Sequence, residues 1–124
     1  MSEAGELLAR EARSLVERLR VWTPARWAAE APPYGTRGDV VHHLAQELAT
    51  RAGEAPTRLP RLDTDLALPD QLAVTADDLV RTGRAELSDV AHLLAHRRDL
   101  LNDEVPETLR ARLGDLPIEC PGSS

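Results

Sequence analysis

The chain has 124 residues and a net charge of −6, and its composition excludes several protein classes. It contains two Trp, one Tyr and no Phe, so its core must be built from Leu, Val and Ala, which favours packed helices over a sheet. All fifteen basic residues are Arg, and acidic residues lie among them, which argues against nucleic acid or an anionic membrane as a partner. A single Cys, no apolar run of about 18 residues and no signal peptide together predict a cytoplasmic protein.

Four segments carry apolar residues at spacings of three and four, which is typical of amphipathic helices. The first runs from about Glu3 to Val21, and Ser2 is its predicted N-cap. The second begins at Thr36, which forms a capping box with Asp39, and it ends before a glycine at position 53. The third covers about 69–82, and the fourth covers about 85–102.

The segments between these helices are rich in proline. Residues 23–35 are predicted to be an irregular connection, and residues 54–68 a long loop. Pro106–Leu113 is compatible with a short fifth helix, and residues 117–124 are expected to form a frayed tail. The sequence therefore predicts an all-α protein with one domain, residues 1–116, folded as a four-helix bundle.

Two of the four histidines lie one turn apart on the fourth predicted helix. His92 and His96 share a face because residues four apart are neighbours on a helix, and two imidazoles so placed can bind one divalent metal ion. Asp89 and Asp99 lie on the same side, where either could accept the second ring N–H. The alternative is a pair of solvated polar residues, because a metal site also needs a third ligand.

The candidate third ligand lies on the second helix. His42 and His43 sit on opposite margins of its apolar stripe, and the helical wheel does not decide which of them turns inward. His43 has Glu47 one turn further on. From the residues alone, a partly buried histidine at a helix interface and a metal ligand both stay open.

Two stretches in the correct order resemble the DinB-like helical-bundle superfamily, and most closely its mycothiol-dependent maleylpyruvate isomerase branch. The first stretch begins with a connection that contains Trp and Pro, here Trp22, Thr23, Pro24 and Trp27. The segment GTRGDVVHHLA follows it. In this segment Thr36 and Asp39 match the cap of the family's helix, and His43-Leu44 matches its His-Leu pair. The second stretch is HLLAHRRDLL at 92–101, where His96 begins a His-Arg-x-Asp-Leu motif and His92 occupies the other ligand position. The resemblance covers roughly residues 7–101.

The resemblance implies a bundle in which His43, His92 and His96 bind a divalent metal ion, usually zinc or nickel. It also implies a thiol transferase or isomerase that acts on a small-molecule substrate, with mycothiol or another low-molecular-weight thiol as co-substrate. His92 stands in place of the family's Glu, and Gly35 stands where the family often has Trp. The isomerases carry an additional C-terminal domain, whose substrate contacts are not carried over to this chain.

The sequence is also compatible with functions other than that of a metal-dependent enzyme. A helical interaction or scaffold protein without metal fits the short chain, and a small antitoxin-like or regulator-binding protein fits its acidity and size. A homodimer through an apolar helix face is compatible with the enzyme and with the scaffold. For an enzyme, the nearest carboxylates for proton transfer are Glu47, Asp89 and Asp99. Cys120 has no basic neighbour and is expected to be an unreactive thiol.

Overall fold

The computed structural model describes residues 2–53, 58–61 and 64–101, together with Leu109, Ala111 and Leu113. Its helices are α1 (Glu3–Leu19), α2 (Pro24–Ala28), α3 (Arg37–Arg51), α4 (Leu68–Arg81) and α5 (Leu87–Leu101). A single turn of 3₁₀ helix (Asp65–Ala67) precedes α4, and the strands β1 (Glu30–Ala31) and β2 (Gly35–Thr36) form a small antiparallel pair. The predicted all-α class is therefore confirmed for the described part of the chain.

The helix ends follow the capping residues in the sequence. The Ser2 hydroxyl accepts the backbone N–H of Gly5 at 3.0 Å. The Thr36 hydroxyl accepts the N–H of Asp39 at 3.2 Å, and the Asp39 carboxylate accepts the N–H of Thr36 at 2.9 Å, which completes the predicted capping box. Gly53 follows α3 with φ +78°, a conformation that costs other residues free energy, so glycine ends the helix there.

The core lies between the four long helices. Helix α1 packs on α4 and α5, and α3 packs on the same two helices. Leu93 and Leu100 of α5 are buried in this core as well. Each fully buried Leu contributes about 1.5–3 kcal/mol relative to an exposed one, so Leu side chains can stabilise a core that has no Phe.

The connection at residues 23–35 is more ordered than predicted. The Thr23 hydroxyl accepts the N–H of Arg26 at 3.3 Å, and Pro24 occupies the first turn of α2, where its missing N–H costs nothing. The Thr-Pro pair in the connection after α1 therefore begins α2. Trp22 and Trp27 are buried and pack edge to face with ring centroids 4.8 Å apart, so they belong to the core.

Part of the C-terminal prediction lies outside the described residues. Leu109, Ala111 and Leu113 are helical, while the rest of the predicted fifth helix, the domain boundary at residue 116 and the predicted tail at 117–124 with Cys120 are not described. None of the helices in the described ranges combines the length and apolarity needed to cross a membrane.

Candidate metal centre

The three histidines singled out in the sequence come together between α3 and α5. The ring centroids of His92 and His96 are 4.6 Å apart, and those of His43 and His96 are 5.9 Å apart. His96 is fully buried, His92 is partly buried, and His43 lies at the margin of the interface. The fold therefore turns His43, rather than its neighbour His42, toward the pair on α5.

Glu47 joins this cluster from α3. Its Oε1 lies 2.5 Å from Nε2 of His43, one turn earlier on the same helix, and its Oε2 contacts Nε2 of His92 across the interface. About a quarter of the Glu47 side chain is exposed. One carboxylate thus contacts imidazoles from both helices.

The tautomer of His96 follows from its hydrogen bond. Its Nδ1 lies 2.9 Å from the backbone carbonyl of His92, and a carbonyl can only accept, so Nδ1 carries the proton. Burial lowers the pKa of His96, and the nearby rings of His92 and His43 lower it further against the opposing effect of the His92 carbonyl and Glu47. The ring is therefore neutral at pH 7, and its Nε2 holds a free lone pair.

Glu47 is a carboxylate at pH 7. Its burial opposes ionisation, but the hydrogen bond from His92 and the electrostatic effect of the neighbouring imidazoles outweigh that, so the pKa of Glu47 is below its usual value. The cluster therefore combines one negative charge with at least one neutral imidazole lone pair.

Nε2 of His96 is buried without a hydrogen-bond partner, and Oε2 of Glu47 and Nε2 of His92 are buried against each other. In the described ranges, no group of three or more His, Cys, Asp or Glu side chains meets the geometry of a metal site as it stands. The donor types nevertheless fit a divalent cation, because imidazole nitrogen and carboxylate oxygen are common ligands of zinc and nickel. Buried polar atoms are nearly always paired, and an ion is one of the recognised exceptions.

The other two candidate carboxylates lie elsewhere. Asp89 is buried near the start of α5, where it accepts the backbone N–H of Glu86 at 2.8 Å and pairs with Arg51 at 2.6 Å. Asp99 is exposed near the end of α5. Of the three carboxylates named from the sequence, Glu47 is the one that contacts the histidines.

His42 serves the packing of a connecting segment. Its Nε2 donates to the backbone carbonyl of Leu59 at 3.0 Å, and Gln46, one turn later, accepts the N–H of Leu59 at 2.7 Å. The two side chains hold the segment at residues 58–61 against α3. His42 is therefore separate from the cluster.

Tyr34 is a neighbour of the cluster that the sequence analysis did not assign to the site. Its ring centroid lies 4.9 Å from that of His43 and 6.0 Å from that of His96. The contact depends on how the β1–β2 turn folds over α3 and α5, so no spacing rule within a single sequence could have found it.

Tyr34 also lines a cavity of about 370 Å³ beside the histidines. Val40 and Leu100 supply apolar surface, and two cations and two anions line the rest of the wall: Arg37, Arg98, Glu30 and Asp99. This volume is within the range of small-molecule sites. A second cavity, of about 320 Å³, lies between α1 and α4, and no histidine lines either cavity.

No family model, curated protein or solved structure matches this chain.

Proposed function

We propose that this chain is a metal-binding protein of the DinB-like four-helix-bundle type, in which His43, His92 and His96 bind one divalent metal ion, zinc or nickel. We further propose that it acts on a small molecule as a thiol transferase or isomerase, with mycothiol or another low-molecular-weight thiol as co-substrate. The observation that carries the proposal is the convergence of the three imidazoles at Glu47, with Nε2 of His96 buried and without a hydrogen-bond partner.

The energetic argument for a bound cation is the free-energy cost of burying polar atoms. A buried donor or acceptor without a partner costs about 1–3 kcal/mol, and a buried charge costs more. In this cluster, Nε2 of His96 presents a lone pair because the ring proton lies on Nδ1. A cation bound among these atoms would satisfy the imidazole nitrogens and the carboxylate at once.

The packing of the helices supports the same proposal. Four long helices surround one core, and the imidazoles come from two of them that face each other. Metal sites in helical bundles are built in this way from inward side chains on facing helices. The order and spacing of the two motifs that resemble the DinB-like superfamily agree with this arrangement.

The residues around the cluster have separate tasks in this proposal. The His92 carbonyl orients the ring of His96, which fixes its tautomer. Tyr34 separates the imidazoles from the adjoining cavity, where Arg37 and Arg98 could hold acidic groups of a small molecule over Val40 and Leu100. A divalent metal ion at the histidines would supply Lewis acidity, which lowers the pKa of a bound thiol or water.

Thermal unfolding with and without metal tests the proposal. With zinc or nickel at 100 times its Kd, the metal-free chain should gain about 2.7 kcal/mol, which is a rise in Tm of roughly 10 °C. His92→Ala should abolish the rise. His42→Ala is the matched control, because it removes an imidazole from the same protein outside the cluster, and it should keep the rise.

The same experiment separates the enzyme from the alternative functions. A wild-type chain that unfolds cooperatively but shows no rise with either metal would contradict the metal site and favour an interaction or scaffold protein. An equal rise in wild type and His92→Ala would also contradict the site, since the metal would then bind elsewhere. We also propose that the chain forms a homodimer. Analytical ultracentrifugation of the metal-loaded chain tests this by measuring its mass in solution.

A further inference from the structure

The cavity lined by Tyr34 has two charged walls, and each wall carries one cation and one anion. Glu30 lies on β1 and Arg37 begins α3, while Arg98 and Asp99 are neighbours on α5. Within the described ranges, no ion pair or side-chain hydrogen bond joins any of these four side chains to another residue. The cavity therefore presents charges of both signs that no described residue pairs.

The charges of this cavity lie at different depths. The two arginines are half-buried, whereas Glu30 and Asp99 are exposed. Val40 and Leu100 line the same cavity and are buried. A ligand in the cavity would therefore meet guanidinium groups and apolar surface on the inside and carboxylates on the side nearer to solvent.

An aromatic contact holds Arg37 at its place in the wall. Its guanidinium carbon lies 5.9 Å from the ring centroid of Trp22, which itself packs against Trp27. A cation over an aromatic ring is attracted by the quadrupole of the ring. This contact leaves the guanidinium N–H groups without an acceptor among the described residues. Such a group binds a carboxylate through two parallel hydrogen bonds.

The mixture of charges disfavours a ligand that carries charge of one sign only. A dicarboxylate would bring its second negative group toward Glu30 or Asp99, and a simple amine would bring its ammonium toward an arginine. Like charges that are brought together in a binding site reduce affinity. A molecule with one carboxylate and one ammonium group can pair with both signs at once.

We propose that this cavity binds a small zwitterion of the α-amino-acid type. Its carboxylate contacts the two arginines, its ammonium group contacts the two acidic side chains, and its apolar part lies on Val40 and Leu100. The inference names the class of small molecule, and it rests on the proposed function for any reaction of that molecule. Binding itself involves no metal ion, so it can be measured separately.

NMR chemical-shift titration of the full-length metal-free chain tests the inference. The zwitterionic probes are L-leucine, L-methionine and L-phenylalanine, whose side chains suit the apolar surface. Isocaproate is leucine without its ammonium group, isoamylamine is leucine without its carboxylate, and succinate is a dianion. We expect at least one of the amino acids to bind with a Kd of about 1 mM or lower, and the other three probes to bind more weakly.

Variants of the cavity wall should change binding in opposite ways for different probes. Arg98→Gln should weaken binding of the amino acid about tenfold or more, because hydrogen bonds between charged groups are the stronger ones. Asp99→Asn should weaken the amino acid about threefold, since the carboxylate is exposed, and should leave isocaproate binding equal or tighter. Arg10→Gln removes an exposed arginine of α1 outside the cavity and should match the wild type.

The outcomes distinguish this inference from the metal site. If none of the three amino acids binds, or if succinate or isocaproate binds as tightly as they do, the zwitterion inference is wrong, and zinc binding lost in His92→Ala would still support the proposed function. If an amino acid binds but the chain takes up no metal, the binding site stands and the proposed function is wrong.

Equal binding of the amino acid by wild type and Arg98→Gln would also contradict the inference. Circular dichroism checks that Arg98→Gln is helical. Should it be unfolded, Arg37→Gln must show the weakened binding.

Discussion

Asp39 connects the first turn of α3 to the segment before α4. One carboxylate oxygen accepts the N–H of Thr36 at 2.9 Å, and the other accepts from Nε of Arg61 at 3.1 Å, while Arg61 also pairs with Asp65 at 2.8 Å. The hydrogen bond from Thr36 lowers the pKa of Asp39, and Arg61 adds to this effect against the opposing influence of burial.

The lowered pKa makes this contribution dependent on pH. Since the folded pKa lies below the unfolded value near 3.8, the stabilisation is fully present above that value and is lost as the pH falls through the folded pKa. Asp39→Ala should therefore cost about 1 kcal/mol at neutral pH, and this cost should shrink as the pH falls below about 3.8. Urea denaturation of the metal-free chain measures both.

The control for this prediction is Asp77→Ala, which removes an exposed carboxylate whose i,i+4 partner is Arg81. Exposed pairs of this kind contribute about 0.3–0.5 kcal/mol. An Asp39→Ala cost that is equal at both ends of the pH range would contradict the assignment of the stabilisation to the ionised carboxylate.

Spacing along a single helix could predict which site residues share a helix face, but not which residues of different helices meet. The interval of four placed His92 and His96 on one face, and it also relates His43 to Glu47. The sequence could not separate Glu47 from Asp89 and Asp99, because that choice depends on how α3 and α5 are rotated against each other. The position of Tyr34 beside the histidines could not be predicted either, because it also depends on a tertiary contact.

At the scale of elements, Asp89 fixes where α5 begins and how it meets α3. It accepts the N–H of Glu86, which is the return half of a capping box. Its other oxygen pairs with Arg51 near the end of α3. The Asp89 side chain is 4% exposed, so its carboxylate is largely shielded from water.

Substitutions at Asp89 should affect stability and leave metal binding unchanged. Asp89→Ala loses both contacts and should lower the free energy of unfolding by about 1–2 kcal/mol. Asp89→Asn keeps an acceptor for the N–H of Glu86 and should lose less. Chemical denaturation gives the stabilities, and zinc titration gives the affinity. A loss of affinity comparable to that of His92→Ala would assign Asp89 to the metal centre instead.

The long helices could be predicted because their apolar spacing, caps and terminal glycines agree with one another. Helix α2 and the β1–β2 pair could not, because five- and two-residue elements have no measurable periodicity. Thr23 and Pro24 are compatible both with the end of one helix and with the start of the next. Only the packing of Trp27 into the core distinguishes these alternatives.

At the scale of the whole molecule, the described cluster and its adjoining cavity lie together at one place in the fold. The histidines face each other between α3 and α5, and the cavity lies beside them under Tyr34, near the start of α3 and the end of α5. No histidine lines that cavity, so Tyr34, which contacts both His43 and His96, connects it to the cluster.

The central claim is that the chain binds one divalent metal ion at its histidines. The most direct measurement is elemental analysis of the freshly purified chain, prepared without a metal-affinity column. We expect about one equivalent of zinc or nickel per chain, and a large loss of it in His92→Ala. Less than about 0.1 equivalent in the wild type, with no uptake when zinc or nickel is added, would contradict the claim.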